Sequence, residues 1–237
     1  MTVLHAAVAE VLQESNELLE KSFGEGLNRE DALKGLIKHW YQHAKPIVFN
    51  GDGYHPDWMK EAQRRGLPNL PNTVAALEVF QNPAAYAFLA QAKILSAEEL
   101  QMRYTVLLEN YIKRREIEVL TLISMAKQYV LPAGFRYKKL LLEISTAHPA
   151  VKNSTLAEKS ILAQLDKILD QLYQRITAFE EWHKTLASSR LEEVGQKLAR
   201  EGVQGLSEVA VYCRQLEEIV PHELWPLPKF YDMLFTI

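Results

Sequence analysis

From residue 162 onward the apolar side chains return every three or four positions. Leu162, Leu165, Leu169, Leu172, Ile176, Phe179, His183 and Leu186 form a single seam more than three heptads long. That period puts one stripe along one side of a helix and requires a second helix to cover it. Thr155 and Glu158 stand just before it in the spacing of a capping box, which fixes where the helix starts. A helix over 155–187 is about 50 Å long at 1.5 Å per residue. The phase breaks at Ser188–Arg190 and restarts with Leu191, Val194 and Leu198. Leu206, Val209, Cys213, Leu216 and Val220 continue it after Gly202 and Gly205, which read as a turn. Two seams joined by a glycine turn predict a coiled-coil-like antiparallel hairpin or small bundle.

The rest of the chain reads as helix in the same way, so the predicted class is all-α. Leu4, Val8, Val11, Leu12, Leu18 and Leu19 mark a helix over 2–22, ended by Gly24 and Gly26. Asn28 caps a second helix, which stops before Pro46. Ser96 and Glu99 form another capping box and open a long helix carrying Leu100, Tyr104, Leu107, Leu108, Tyr111, Ile112, Val119, Leu122, Ile123 and Ala126. Pro132 reads as its end. Residues 45–72 differ: seven glycines and prolines punctuate them, yet Phe49, Tyr54, Trp58, Leu67 and Leu70 are too apolar for a floppy linker. They predict an ordered loop segment around one short helix begun by Pro56. The expected division is 1–95, helices with this Gly/Pro-rich segment, and 96–237, a long-helix bundle onto which the aromatic tail from Trp225 docks.

Composition excludes several function classes. Lysines and arginines number 27 against 30 acidic residues, a net charge of −3 that favours neither nucleic acid nor an acidic membrane surface. No uncharged run approaches the ~20 residues of a spanning helix, and residues 2–12 lack the basic leader of a signal peptide. The single cysteine, Cys213, excludes an internal disulfide and fits a reducing compartment, so a cytoplasmic location is expected.

Individual motifs carry little chemistry. His39 and His43 lie four apart on one helix, but Trp40 stands where a zinc motif needs glutamate and no third ligand follows. Asn50, Asp52 and Glu61 match three calcium-loop positions, but His55 occupies the position that requires glycine, so Asn50–Gly53 reads as a glycine turn. Lys113, Arg114 and Arg115 lie among Glu109, Glu116 and Glu118 and read as an ion-paired face. Cys213 sits on an apolar seam and reads as a structural thiol. No phosphate loop or nucleophile elbow is present. The residues therefore predict no catalytic, cofactor or metal site.

Three segments together nevertheless resemble a known family. The first is Phe49-Asn50-Gly51-Asp52-Gly53-Tyr54 with Trp58 and then Glu61-Ala62-Gln63-Arg64-Arg65-Gly66-Leu67-Pro68-Asn69-Leu70. The second is Leu108-Glu109-Asn110-Tyr111 with Leu131-Pro132-Ala133 downstream. The third is Trp225-Pro226-Leu227-Pro228-Lys229-Phe230-Tyr231-Asp232-Met233-Leu234-Phe235. In order and over essentially the whole chain, they look like the C-terminal part of type III glutamine synthetase. The resemblance implies a parent enzyme that makes glutamine from glutamate and ammonia with ATP and Mg or Mn, in stacked hexameric rings. It places this chain after the catalytic domain and carries over no catalytic residue.

The role expected from the resemblance is structural: packing on the catalytic domain, or on further copies through helical seams. Phe49, Asn50, Asp52, Tyr54, Trp58, Arg64, Arg65, Asn69, Trp225, Phe230 and Phe235 are the candidate docking residues. The alternative is a free-standing helical module that binds a synthetase or another helical partner. If the chain is a truncated part of such a synthetase, residues 2–22 should bare the apolar surface that faced the catalytic domain, and the isolated chain should self-associate.

Overall fold

A computed structural model of the chain describes residues 2–146 and 155–234. Among them there are helices and no strands. The chain divides into two compact units, 1–107 and 108–237.

In the first unit, α1 (Thr2–Gly24) and α2 (Arg29–Ala44) form a hairpin. The chain reverses at Gly26, whose φ of +85° lies in the left-handed region that favours glycine. The Asn28 side chain accepts the Asp31 N–H at 2.9 Å, the cap the sequence predicts. Trp40 Nε1 on α2 donates to Ser15 Oγ on α1 at 2.9 Å and fixes the pairing. Then come α3 (Pro56–Arg64), α4 (Thr73–Leu77) and α5 (Pro83–Gln91), capped by His55, Asn72 and Asn82. The core here is small: Ala6 of α1, Leu89 of α5, Leu95, and Leu100 at the start of α6 (Ala97–Met125), with Phe80, Tyr86 and Phe88 packed around them.

The second unit is a bundle of three helical rods. The first is the remainder of α6 followed by α7 (Leu131–Thr146), the second α8 (Leu156–Thr185), the third α9 (Leu191–Lys197) with α10 (Val203–Ile219). Cross-rod contacts give the directions. Lys127, Gly134 and Lys138 on the first rod meet Glu180, Leu169 and Asp166 on α8. Arg175, Phe179 and Trp182 on α8 meet Glu208, Gly205 and Glu201 on the third rod. In both sets one number rises as the other falls, so each rod runs antiparallel to α8. The α8 seam is the core: Leu165, Ile168, Leu169, Leu172, Ile176 and Phe179 are buried. Val209, Leu216 and Val220 answer it from the third rod. The predicted capping boxes are both present, Ser96 with Glu99 and Thr155 with Glu158.

Three expectations are corrected. Pro132 does not end the long helix. Residues 126–130 make one wide turn, in which the Leu131 N–H bonds the Ala126 carbonyl five residues back. This turn takes up the place where a proline ring and its missing N–H would break the regular ladder, and the rod continues to Thr146.

Nor do Gly202 and Gly205 form a turn; both are helical, and a second wide turn spans 198–202. The reversal comes earlier, at Leu186–Ser188 and Ser189. The glycines serve close packing instead: a Cβ on Gly205 would lie 2.2 Å from Phe179 Cε2, and one on Gly202 would lie 3.2 Å from the Trp182 ring. Leu107, assigned to the α6 core stripe, is 43% exposed.

Cys213 is half-buried on the third rod, where desolvation pushes its thiol up to about 11 and disfavours the reactive thiolate. No helix among the described residues is long and apolar enough to cross a membrane.

Candidate docking surface

The loop that leaves α2 returns over α3 and is locked there by side chains of α3 and the residue after it. His55 caps α3 through Nδ1, which accepts the Asp57 N–H at 3.3 Å. Asp52 Oδ1 accepts the Tyr54 N–H at 2.9 Å, and the Asp52 carbonyl accepts the His55 N–H at 3.2 Å. These bonds are the glycine turn the sequence predicts, with the Asp52 carboxylate engaged on its own backbone. Gly51 is required by contact: a Cβ there would lie 2.4 Å from the Phe49 ring. After α3, Gly66 adopts a φ of +73° and the Leu67 N–H returns to the Ala62 carbonyl at 2.9 Å, closing the helix.

Phe49, Trp58 and Arg65 form one stack. The Phe49 and Trp58 rings lie 4.3 Å apart, and the Arg65 guanidinium sits 5.5 Å from the first and 5.8 Å from the second. The same guanidinium donates to the Val48 carbonyl at 2.7 Å, to the Pro46 carbonyl at 3.3 Å and to Glu61 at 2.6 Å. Arg64 binds Glu61 from the other side with Nε at 2.8 Å and Nη2 at 2.6 Å. Glu61 is therefore clamped between two cations. Hydrogen bonds from Arg64 and then Arg65 hold its carboxyl down at about 2. Shallow hollows of about 500 and 550 Å3 flank this cluster, one against Phe49 and His55, the other against Tyr41 and Lys45.

Arg65 is the hinge pin of this surface. Lysine keeps the charge but not the planar fork that reaches two carbonyls and a carboxylate together. Arg65→Lys is expected to free residues 46–48 from α3, seen as faster amide exchange over 46–58, with α1 and α2 unchanged. Glu61 gives a pH signature. Its folded pKa lies below the unfolded value of 4.5, so its contribution is complete above that value and is lost as pH falls towards 2. Carbon-detected NMR titration should find Glu61 still ionised at pH 3, and Arg64→Ala should raise its midpoint.

The sequence candidates are thus divided. Phe49, Asp52, Trp58, Arg64 and Arg65 form the ordered cluster. Tyr54 is fully exposed at 100%, and Asn50 and Asn69 are also exposed. Trp225 and Phe230 lie in the second unit: Trp225 is buried and Phe230 is 66% exposed. Phe235 lies outside the described residues.

Two contributors were not among the candidates. Glu61 joins both arginines, a role its spacing of three and four residues from them makes legible. Lys229 is buried and donates to the Glu217 and Val220 carbonyls at 2.6 and 2.7 Å, capping the end of α10, while the Phe230 N–H donates to Glu217 Oε1 at 2.6 Å. The tail is thus pinned by polar contacts of its backbone and Lys229, which no apolar pattern announces.

The His39 and His43 rings are 4.2 Å apart, with His43 Nδ1 2.9 Å from the His39 carbonyl. Arg115 pairs with Glu118 at 2.6 Å, as an ion-paired face requires. Among the described residues no three His, Cys, Asp or Glu side chains gather as metal ligands.

Residues 32–148 match the family described as glutamine synthetase C-terminal domain. Over 244 residues the chain is 27% identical to a glutamine synthetase of Bacteroides fragilis (strain YCH46), covering 100% of this chain and 33% of that protein. It is 30% identical over 243 residues to the type-3 glutamine synthetase of Dictyostelium discoideum, covering 98% and 32%. A glutamine synthetase of Butyrivibrio fibrisolvens is 27% identical over 210 residues, covering 87% and 30%. The chain thus spans about a third of the length of these curated relatives.

Proposed function

This chain belongs with the C-terminal region of the type III glutamine synthetases, and from that membership we propose that it supports the synthetase as a structural element without supplying catalytic side chains. In this reading it packs on the catalytic part of a cytoplasmic enzyme that uses ATP and a divalent metal to join ammonia to glutamate, and it shapes contacts between subunits.

The observation that carries the proposal is the 46–67 segment. It is rigidly built yet outward-facing: Phe49, Trp58 and Arg65 stack, Glu61 is doubly clamped, and Tyr54 projects fully into solvent beside them. Binding residues are found disproportionately on loops that a firm scaffold positions. Phosphoryl transfer, by contrast, needs metal-held phosphates and aligned carboxylates. The carboxylates of this segment are committed elsewhere, Glu61 to two arginines, Asp52 to backbone and Asp57 beside His55 at 3.2 Å.

The test is to replace Trp58 and Arg65 with alanine in a subunit that contains this region together with the catalytic part. Weakened assembly with a parallel fall in glutamine formation is the expected result. Unchanged assembly and activity would contradict the proposal.

A further inference from the structure

α1 carries one apolar face along its whole length. Leu4, Val8, Val11, Ser15, Leu18 and Ser22 alternate by four and three residues, with Leu12 and Leu19 beside them. The C-terminal half of this face is covered. Ser15, Leu18, Leu19 and Ser22 are half-buried, and Ser15 receives the Trp40 indole of α2. α2 runs antiparallel from that contact and ends at Ala44, four residues on, about 6 Å along the axis. That end reaches no further than the level of Val11. Beyond it the same face is bare: Leu4, Val8, Val11 and Leu12 are 62%, 52%, 43% and 64% exposed. The opposite side of this stretch is already used, since Ala6 is buried against Leu89 of α5. A seam half covered and half open at helical register is a packing surface lacking its second partner.

We infer that this open half of α1 is the seat for the portion of a type III glutamine synthetase that precedes the matched third. The inference rests on the family reading of the preceding subsection. One observation selects this occupant. The chain aligns over its full length with only a third of the B. fragilis protein and matches a C-terminal family. In such a protein the preceding polypeptide joins at the start of α1, where the open seam begins.

The test mixes the 237-residue chain with the separately expressed preceding portion of the B. fragilis synthetase and follows binding by sedimentation velocity. The variant is Leu4→Glu with Val8→Glu. Both positions are exposed and glutamate is a good helix former, so circular dichroism and melting of the chain should be unchanged. The expected result is binding by the wild-type chain and at least tenfold weaker binding by the variant.

Equal binding by both would overturn the seat on α1 while leaving the structural role standing. No binding by the wild-type chain would count against the structural role itself. If the wild-type chain formed a dimer that the variant lost, while binding to the preceding portion stayed intact, the face would belong to a second copy and the inference would fail.

Discussion

Leu172→Ala should destabilise the second unit by about 3–4 kcal/mol, within the range found when a fully buried leucine is truncated. Leu172 is 0% exposed on the α8 seam, between layers set by Leu169 and Ile176. Its neighbours belong to rods fixed by cross-contacts on both sides, so they cannot readily close the cavity. Thermal denaturation should show Tm falling by roughly 10 °C for a unit of this size. Leu156, at 86% exposed, provides the control: its change to alanine should move Tm by less than about 1 °C. A small shift for Leu172 would mean that the three rods do not pack around this seam.

The second large effect concerns a glycine whose substitution by alanine should have the sign opposite to helix propensity. In an exposed helix interior, glycine to alanine stabilises by about 1 kcal/mol. Gly35 in α2 has open space around its Cβ direction, and Gly35→Ala should show that gain. Gly205 in α10 should not, because its Cβ would lie 2.2 Å from Phe179 Cε2 and 2.5 Å from Cδ2. Phe179 is buried and stacks on Trp182 at 5.3 Å, so its ring has little room to retreat.

Overpacking of this kind costs about 1–3 kcal/mol. Gly205→Ala should therefore be destabilising by about 1 kcal/mol, and Gly205→Val, with two further methyl groups, by about 3 kcal/mol. Denaturant titration of both, and of Gly205→Val combined with Phe179→Leu, checks the cause. The smaller side chain should recover much of the loss, a coupling expected only of residues in contact.

That glycine also shows where sequence reasoning stops. The α8 seam, both capping boxes and the Asn28 cap are local signals, each set by residues within a few positions, and each occurs where the sequence places it. Gly202 and Gly205 look locally like a turn. Only the rings of Trp182 and Phe179, about 20 and 26 positions away in sequence, explain them as a close approach between helices. Pro132 is a similar case: a proline normally ends a helix, but one wide turn ahead of it lets the rod run on. Such devices depend on what packs alongside, and a single helix's periodicity does not record that.

The surface follows the same division. The aromatic, glycine and arginine content of residues 49–66 marks an ordered segment, and the Phe49, Trp58 and Arg65 stack is what that content builds. The Pro46 and Val48 carbonyls that Arg65 holds were not legible, because backbone acceptors carry no sequence signature. In the tail, the apolar pattern drew attention to Trp225 and Phe230. Trp225 is buried, but Lys229 forms the anchor, a lysine whose burial is explained only by the two carbonyls at the end of α10.

The proposal to be tested is that this chain supports glutamine synthesis without performing it. The most direct measurement is ATP-dependent glutamine formation by three samples: this chain, the preceding portion of a type III synthetase, and the two together. The account predicts no turnover by the chain alone and more turnover by the mixture than by the preceding portion. Turnover by the chain alone, or a mixture no more active than the preceding portion, would contradict it.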